Sequence, residues 1–272
     1  MCISSLAGDQ IGSCYEFHNI YTEEFELFSK KSTFTDDTVL TIASMDVILD
    51  DGDYSQYYLD YAQSFPNRGY GGSFGAMVKL GKLVPYNSYG NGSAMRVSPI
   101  GFACDTLQKT IEEATRSASV THNHDEGIKG AVAIAGSIFI ARKGGSKDDI
   151  KEFVTKVGYD LSKKISDFEQ GEFDVTCQGT IPRCISVLME TSNFEQAMRK
   201  SVALGGDVDT NCCIVGSICD ALYGLPSKEI TEEVYSRMPT QLQTVTTSFI
   251  KKYIDSNFEA PITKELDNLF TI

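Results

Sequence analysis

Two short acidic segments, far apart in the sequence, carry the residue types that bind a hard metal ion. In the later segment, Asp207, Asp209 and Thr210 follow a glycine pair and precede an apolar run. Carboxylate and hydroxyl oxygens are the ligands that Mg²⁺ and Mn²⁺ prefer. The segment therefore predicts a tight turn that presents three oxygen ligands at a helix start, where Asp207 would also cap the N–H groups of the first turn.

The earlier segment, Thr35-Asp36-Asp37-Thr38, has the same character, and it precedes an apolar, helix-like run that reaches about Leu49. Either segment alone is also typical of an ordinary helix cap, since Ser, Thr and Asp are common there. Two carboxylates at one helix end repel each other, however, and a cation relieves that repulsion. Taken together, the two segments favour a site that closes around one pair of metal ions.

Helical periodicity is widespread and strand patterns are few, which predicts an all-α fold packed around one or two apolar helices. Residues 128–141 are apolar on all sides and are predicted to form the central buried helix. Other helices are predicted over residues 102–119 and 147–169, and peripheral helices over the remainder to Ile272.

The first helix is predicted to be closely packed, because Gly8 and Gly12 lie four residues apart on one face. Asp9 is either a buried acid that needs a partner or part of an exposed acidic face. Glu16 would lie at the end of this helix, where it is better placed for function.

Two glycine-rich polar loops, residues 66–73 and 86–96, are more elaborate than simple connections require. The first could present N–H groups to an anion, although a plain loop is the alternative. In the second, Tyr86 and Tyr89 could flank a flat ring. His122 and His124 are too close in sequence for one helix to direct both at one metal ion, so we expect a capped turn or a single functional histidine.

Composition excludes several classes of protein. The 272 residues are long for one domain, yet no linker divides them, so we predict a single domain over residues 1–272. A net charge of −13 argues against duplex nucleic acid as a general partner. The first residues do not resemble a signal peptide, and the longest apolar stretch, residues 131–141, is shorter than the roughly 20 residues that span a bilayer. The eight cysteines lack metal-type spacing, which predicts free thiols in the cytoplasm.

The sequence resembles the ADP-ribosylglycohydrolase family, which includes the dinitrogenase reductase-activating glycohydrolase. The ordered match runs from Gly8 to about Pro226, and residues 177–182 also resemble bacterial members. The departures are Asp125, where similar sequences often carry proline, and the Cys212-Cys213 pair; neither is a proposed ligand. The segments that carry the resemblance are residues 8–16, 35–38, 89–96, 121–131 and 205–210.

The resemblance implies a compact orthogonal bundle of helices with two divalent ions, Mg²⁺ or Mn²⁺, in a central cleft. Glu16 would lie on a mobile loop beside the metals, and Glu16 and Asp36 are the candidates for positioning substrate and water. The implied metal ligands are Thr35, Asp36, Asp37, Asp207, Asp209 and Thr210. The implied ADP-ribose-binding residues are Gly71, Gly72, Ser73, Asn87, Ser88, Tyr89, Gly90, Asn91, Gly92, Met95 and His122.

The activity implied is metal-dependent hydrolysis of the glycosidic bond between ADP-ribose and an acceptor, on a modified protein or a small conjugate. Carboxylates near the sugar stabilise the oxocarbenium-like transition state of such a reaction, and a metal ion lowers the pKa of bound water. The alternatives are an ADP-ribose-binding module without turnover and a two-metal phosphate-ester hydrolase. The sequence favours a monomer, and it leaves open the acceptor group and the identity of the base.

Overall fold

The computed structural model describes residues 2–261, and within them the chain is helical, which confirms the all-α prediction. The segment predicted to form peripheral helices contains the helices Lys228–Ser236 and Thr240–Tyr253, and its last residues, 262–272, lie outside the described residues. The helices are α1 (Ile3–Gly12), α2 (Asp36–Asp50), α3 (Tyr54–Ser64), α4 (Gly72–Lys79), α5 (Gly92–Met95), α6 (Ser98–Ala103), α7 (Leu107–Ser119), α8 (Asp125–Arg142), α9 (Lys147–Val157), α10 (Cys177–Met189), α11 (Phe194–Leu204), α12 (Val208–Tyr223), α13 (Lys228–Ser236) and α14 (Thr240–Tyr253).

Helices α1 and α12 pack antiparallel with their backbones in direct contact. A Cβ atom added at Gly8 would lie 2.1 Å from the carbonyl oxygen of Cys212, and one at Gly12 would lie 2.5 Å from Cα of Asp209. At the other end of the contact, a Cβ atom at Gly216 would lie 2.1 Å from the carbonyl oxygen of Ser4. Only glycine permits these approaches, so the predicted close packing of the first helix is confirmed.

Helix α8 is buried along most of its length, which confirms the prediction of a central apolar helix over residues 128–141. Close contacts again depend on glycine, because a Cβ atom at Gly101 of α6 would lie 2.6 Å from Cβ of Ile138. On another side of α8, a Cβ atom at Gly130 would lie 2.3 Å from Sγ of Cys177, at the start of α10. These contacts hold α6 and the start of α10 against α8.

Three predicted helices end or divide at other positions. Helix α1 ends at Gly12, and the Ser13 hydroxyl donates to the carbonyl of Gln10, so Glu16 lies in the turn that follows. Residues 102–119 divide between α6 and α7, because Thr106 caps a new helix start by accepting from the N–H of Lys109. Within residues 147–169, α9 ends where Gly158 adopts a φ of +117°, and a short 3₁₀ turn over residues 165–167 follows.

None of the helices in residues 2–261 combines the length and the apolar character needed to cross a membrane.

Candidate functional site

The two acidic segments lie at neighbouring helix starts, as their sequences predict. Thr35 caps α2, since its Oγ1 accepts from the N–H of Asp37 at 3.3 Å. Asp207 is the N-cap residue of α12, as predicted, but its carboxylate bonds none of the N–H groups of that helix and accepts instead from Nδ2 of Asn91 at 2.6 Å. A carboxylate that leaves the N–H groups of its own helix unbonded remains available to a ligand.

The carboxylates of the two segments gather into one cluster with two further acids. Oxygen atoms of Asp9, Asp37 and Asp209 all lie within 4.8 Å of one another. A second such group consists of Glu16, Asp207 and Asp209, so Asp209 belongs to both. The structure thus brings residues of α1, α2, α12 and the turn after α1 to one point.

Asp9 is fully buried, which excludes an exposed acidic face. Its Oδ2 accepts from the backbone N–H groups of Thr35 and Thr38, at 2.9 and 3.1 Å. Its Oδ1 accepts from the Thr35 hydroxyl at 2.6 Å. Asp9 therefore anchors the start of α2 and orients the Thr35 hydroxyl oxygen. In the sequence, the only sign of this role is that Asp9 directly follows Gly8. The close backbone contact between Gly8 and α12 places Asp9 in the cluster.

The cluster has the properties of a metal site. Asp37 is 1% exposed, and within the described chain its Oδ1 has no hydrogen-bond donor. Burial and the neighbouring Asp9 and Asp36 carboxylates raise the pKa of Asp37 well above its ordinary value. Burial and the Asp207 carboxylate do the same to the pKa of Asp209. Buried like charges with an unbonded oxygen are costly without a counter-ion, so these acids could bind a metal cation.

The remaining predicted ligands lie in the same place. The Thr210 hydroxyl donates to Oδ2 of Asp37 at 3.2 Å, which links the starts of α12 and α2. Asp36 is half-buried and faces the cavity, beside Gly69. Glu16 is also half-buried and lines the cavity. Burial and the negative charges of Asp207 and Asp9 raise the pKa of Glu16 to about 7.

Acids of the cluster line a cavity of about 300 Å³. The first glycine-rich segment borders it at the start of α4, where a Cβ atom at Gly71 or Gly72 would meet nothing within 4 Å. The N-cap residue Gly71 has no side chain to bond the first N–H groups of α4, so they remain available to an anion. The predicted ligand-binding residues that line this cavity are Gly71, Gly72, Ser73, Ser88, Gly90, Asn91, Gly92, Met95 and His122.

Two residues of the predicted set lie outside the cavity wall. Tyr89 is 49% exposed, and its ring contacts His124 edge-on with the centroids 5.3 Å apart. Asn87 is exposed and adopts a φ of +57°, and its N–H donates to Oδ1 of Asn123. Tyr86 of the same loop does line the cavity, as do several residues that were not predicted: Leu40, Gly69, Phe74, Arg96 and Val175.

His122 is buried at the cavity wall, and its Nδ1 lies 2.7 Å from the Thr121 hydroxyl. Burial and the nearby Arg96 guanidinium lower the pKa of His122 well below its ordinary value, so the ring is neutral. A neutral imidazole has one N–H donor and one acceptor nitrogen. The side chain can therefore donate to a ligand only if the nitrogen facing the cavity carries the hydrogen.

Comparison with known proteins gives consistent results along most of the chain. Mouse ADP-ribosylhydrolase ARH3 is 26% identical, with 81% of this chain and 82% of that protein covered. The human ARH3 protein is 23% identical over a similar share, 81% and 84%. ADP-ribosylarginine hydrolase Tri1 of Pseudomonas putida is 24% identical, but only 50% of this chain and 39% of that protein are covered.

The fold is also found in a solved structure. An ADP-ribosylglycohydrolase-related protein complex contains a chain that superposes with a TM-score of 0.72 and 20% sequence identity, covering 94% of this chain and 96% of that one. The sequence profile of the ADP-ribosylglycohydrolase family matches residues 1–256, which include every acid of the cluster and every residue of the cavity wall. With the site and the fold both in place, the chain belongs to the ADP-ribosylglycohydrolase family.

Proposed function

We propose that this protein is a metal-dependent hydrolase that cleaves the glycosidic bond between ADP-ribose and a modified acceptor, releasing ADP-ribose. The observation that carries the proposal is that acids of the cluster line a cavity whose wall is also rich in glycine. A cluster of this kind suits a ribose held by metal ions, and the wall suits the rest of an elongated, anionic ligand.

Two divalent ions, Mg²⁺ or Mn²⁺, fit the oxygen donors of the cluster. Asp209 belongs to both groups of acids and would help to hold metal with either group. Asp9 supports the set: because the Thr35 hydroxyl donates to Asp9 and accepts from the N–H of Asp37, one lone pair of its oxygen is left for a metal. The residues that would hold the ions are Thr35, Asp36, Asp37, Asp207, Asp209 and Thr210.

When bound, the ions supply a water of lowered pKa and fix the ribose hydroxyls. The protein's own carboxylates act on the anomeric centre, where negative charge stabilises an oxocarbenium-like transition state. Glu16 and Asp36 are the half-buried acids of the cavity wall, and we propose that they position the sugar and the attacking water.

The glycine-rich part of the cavity wall would hold the diphosphate and the adenosine of the ligand. The start of α4, at Gly71, Gly72 and Ser73, offers N–H groups to phosphate oxygens. Asn91 lines the cavity and links the glycine-rich loop to the acidic cluster, because its Nδ2 donates to Asp207 as well as to Thr180. We propose that Asn87 and Tyr89, which lie on the exposed part of the same loop, contact the ligand from the cavity mouth.

We also propose that the chain forms one domain over residues 1–272, that the protein is a monomer and that it is located in the cytoplasm. The cysteines are all free thiols, and six are buried, which supports a reducing compartment. The substrate would be an ADP-ribosylated protein or a small ADP-ribosyl conjugate.

The test is a panel of defined substrates incubated with Mg²⁺, with Mn²⁺ and after exhaustive chelation. ADP-ribosyl-arginine, ADP-ribosyl-serine, small ADP-ribosyl conjugates and simple phosphate esters form the panel, and release of ADP-ribose or phosphate is measured. We expect metal-dependent release of ADP-ribose from at least one ADP-ribosyl substrate. Binding of ADP-ribose without release would instead support a binding module, and phosphate release alone would support a phosphate-ester hydrolase.

A further inference from the structure

Arg96 is a buried cation with an unusual set of partners. It is 0% exposed, and its guanidinium lies over the Tyr58 ring, 4.2 Å from the centroid. Its Nη2 donates to the carbonyl of Ser117 and to the Thr121 hydroxyl, both at 2.9 Å. Within residues 2–261 no carboxylate pairs with it, and its Nε and Nη1 have no hydrogen-bond partner. The residue also borders the cavity.

The Thr121 hydroxyl transmits this arrangement to His122. In the described chain it has two partners, Nη2 of Arg96 and Nδ1 of His122. A guanidinium can only donate, so the hydroxyl oxygen accepts from Arg96, and its single hydrogen is left for His122. Nδ1 is then the acceptor. If Nδ1 carried the hydrogen instead, the Thr121 oxygen would accept from both Arg96 and His122. The hydrogen of the Thr121 hydroxyl would then have no acceptor in a fully buried position.

The second imidazole nitrogen, Nε2, lies beside the glycine-rich loop of the cavity. A Cβ atom at Gly92 would be 3.3 Å from it, and one at Gly90 would be 3.6 Å from it. No protein acceptor among the described residues bonds Nε2, and both glycines and His122 line the cavity. Behind the ring, a Cβ atom at Gly127 would lie 2.9 Å from Cβ of His122, so α8 packs closely against the histidine.

We propose that Arg96 and Thr121 are positioning residues that hold His122 in the Nε2-protonated tautomer, so that it presents a fixed N–H donor to oxygen atoms of a ligand in the cavity. The buried guanidinium also supplies a positive charge on this side of the cavity, which favours an anionic ligand such as a diphosphate. The tautomer follows from the protein alone, and only the identity of the ligand rests on the proposed function.

The tautomer can be measured directly by long-range ¹H–¹⁵N NMR of the histidine rings. The chain has three histidines, so His18→Gln and His124→Gln variants assign the His122 signals. We expect the wild-type protein to show a neutral His122 ring with hydrogen on Nε2. Thr121→Val, which keeps the shape and removes the hydroxyl, should abolish this preference, and Thr121→Ser should restore it. A wild-type ring protonated on Nδ1, or an unchanged tautomer in a folded Thr121→Val variant, would overturn the proposal.

Ligand affinity provides the second readout. Loss of a fixed donor to a charged oxygen should weaken ADP-ribose binding about ten- to hundredfold in Thr121→Val, with recovery in Thr121→Ser. We expect KM to rise while kcat changes little, because the proposed donor acts on ligand binding and His122 belongs to neither group of clustered acids. Thr110→Val is the matched control, since Thr110 is equally buried, its hydroxyl donates to the carbonyl of Thr106, and it does not line the cavity.

The two proposals fail in different ways. If the wild-type protein binds no ADP-ribose, the proposed function is wrong, while the NMR spectrum still decides the tautomer. If the wild-type protein binds ADP-ribose and Thr121→Val binds it equally well, the positioning role is wrong and the proposed function is unaffected.

Discussion

Replacement of Asp209 by asparagine distinguishes a metal ligand from a residue that only starts a helix. Asp209 is 4% exposed, belongs to both groups of clustered acids and accepts from the N–H of Thr210 at 2.9 Å. Asparagine keeps the shape and the acceptor oxygen but removes the charge. Because Asn and Asp serve helix starts about equally well, a purely structural role predicts little change in stability or turnover.

If Asp209 is a metal ligand, its replacement should lower metal affinity and metal-dependent stabilisation by an amount that can be calculated. Loss of residues that merely support metal ligands lowers metal affinity about 10- to 100-fold, so loss of a direct ligand should cost at least about 100-fold. At saturating metal, that loss removes about 2.7 kcal/mol of metal-dependent stabilisation. For a domain near this size, each kcal/mol corresponds to about 2–4 °C in Tm, so the Mg²⁺-induced rise in Tm should shrink by about 5–10 °C.

The assay measures Tm with and without Mg²⁺, together with ADP-ribose release. Without metal, Asp209→Asn should be at least as stable as the wild-type protein, because one of several repelling carboxylates is gone. Asp220→Asn is the matched control, since Asp220 lies on the same helix, is 3% exposed and is remote from the cluster. An Asp209→Asn protein with wild-type turnover and a wild-type response to Mg²⁺ would refute the reasoning.

Three further predictions concern pH, packing and ligand. In the folded, metal-free protein the pKa of Glu16 is raised from 4.5 to about 7, so the folded state binds a proton at Glu16 more tightly than the unfolded chain does. The ionised Glu16 side chain therefore destabilises the fold at neutral pH, and this effect should fade as the pH falls from about 7 to 4.5. Calorimetry in chelator should show a smaller gain on acidification for Glu16→Gln, and identical profiles would contradict this. Gly12→Ala should destabilise the folded protein by about 1–3 kcal/mol and weaken metal binding, because the new Cβ would lie 2.5 Å from Cα of Asp209. Gly75→Ala is the control, since there is room for a Cβ atom at Gly75, and it should have neither effect. ADP-ribose at a hundredfold excess over its Kd should stabilise the metal-loaded protein by about 2.7 kcal/mol, and an unchanged Tm would count against any ADP-ribose site.

Much of the fold could be predicted because local patterns determine it. Residues 128–141 carry no polar face, so they had to be surrounded by other helices, and α8 is. Helix boundaries were less predictable, because they depend on single capping bonds. Thr106 divides residues 102–119 by accepting one N–H, and a positive φ at Gly158 ends α9 within residues 147–169.

The site was predictable where adjacent residues act together, and it was not where distant residues meet. Asp36 and Asp37 precede an apolar run and are recognisable from sequence. Asp9 is not, because its burial depends on a backbone contact with a helix some two hundred residues away in the chain. Arg96 was missed for a similar reason, since a lone arginine in a loop gives no sign that it will be fully buried against Tyr58.

The contact between α1 and α12 also constrains the order in which the protein can form during synthesis. Every residue of α1 is buried, and its closest neighbours are Cys212, Gly216 and Asp209. Helix α1 therefore leaves the ribosome long before α12, and it cannot be enclosed until α12 has emerged. Such non-local pairing is slow, because a long loop must close before any contact forms. Until α12 emerges, the apolar surface of α1 is a candidate binding segment for chaperones. Neither group of clustered acids can be complete before then, because both include Asp209.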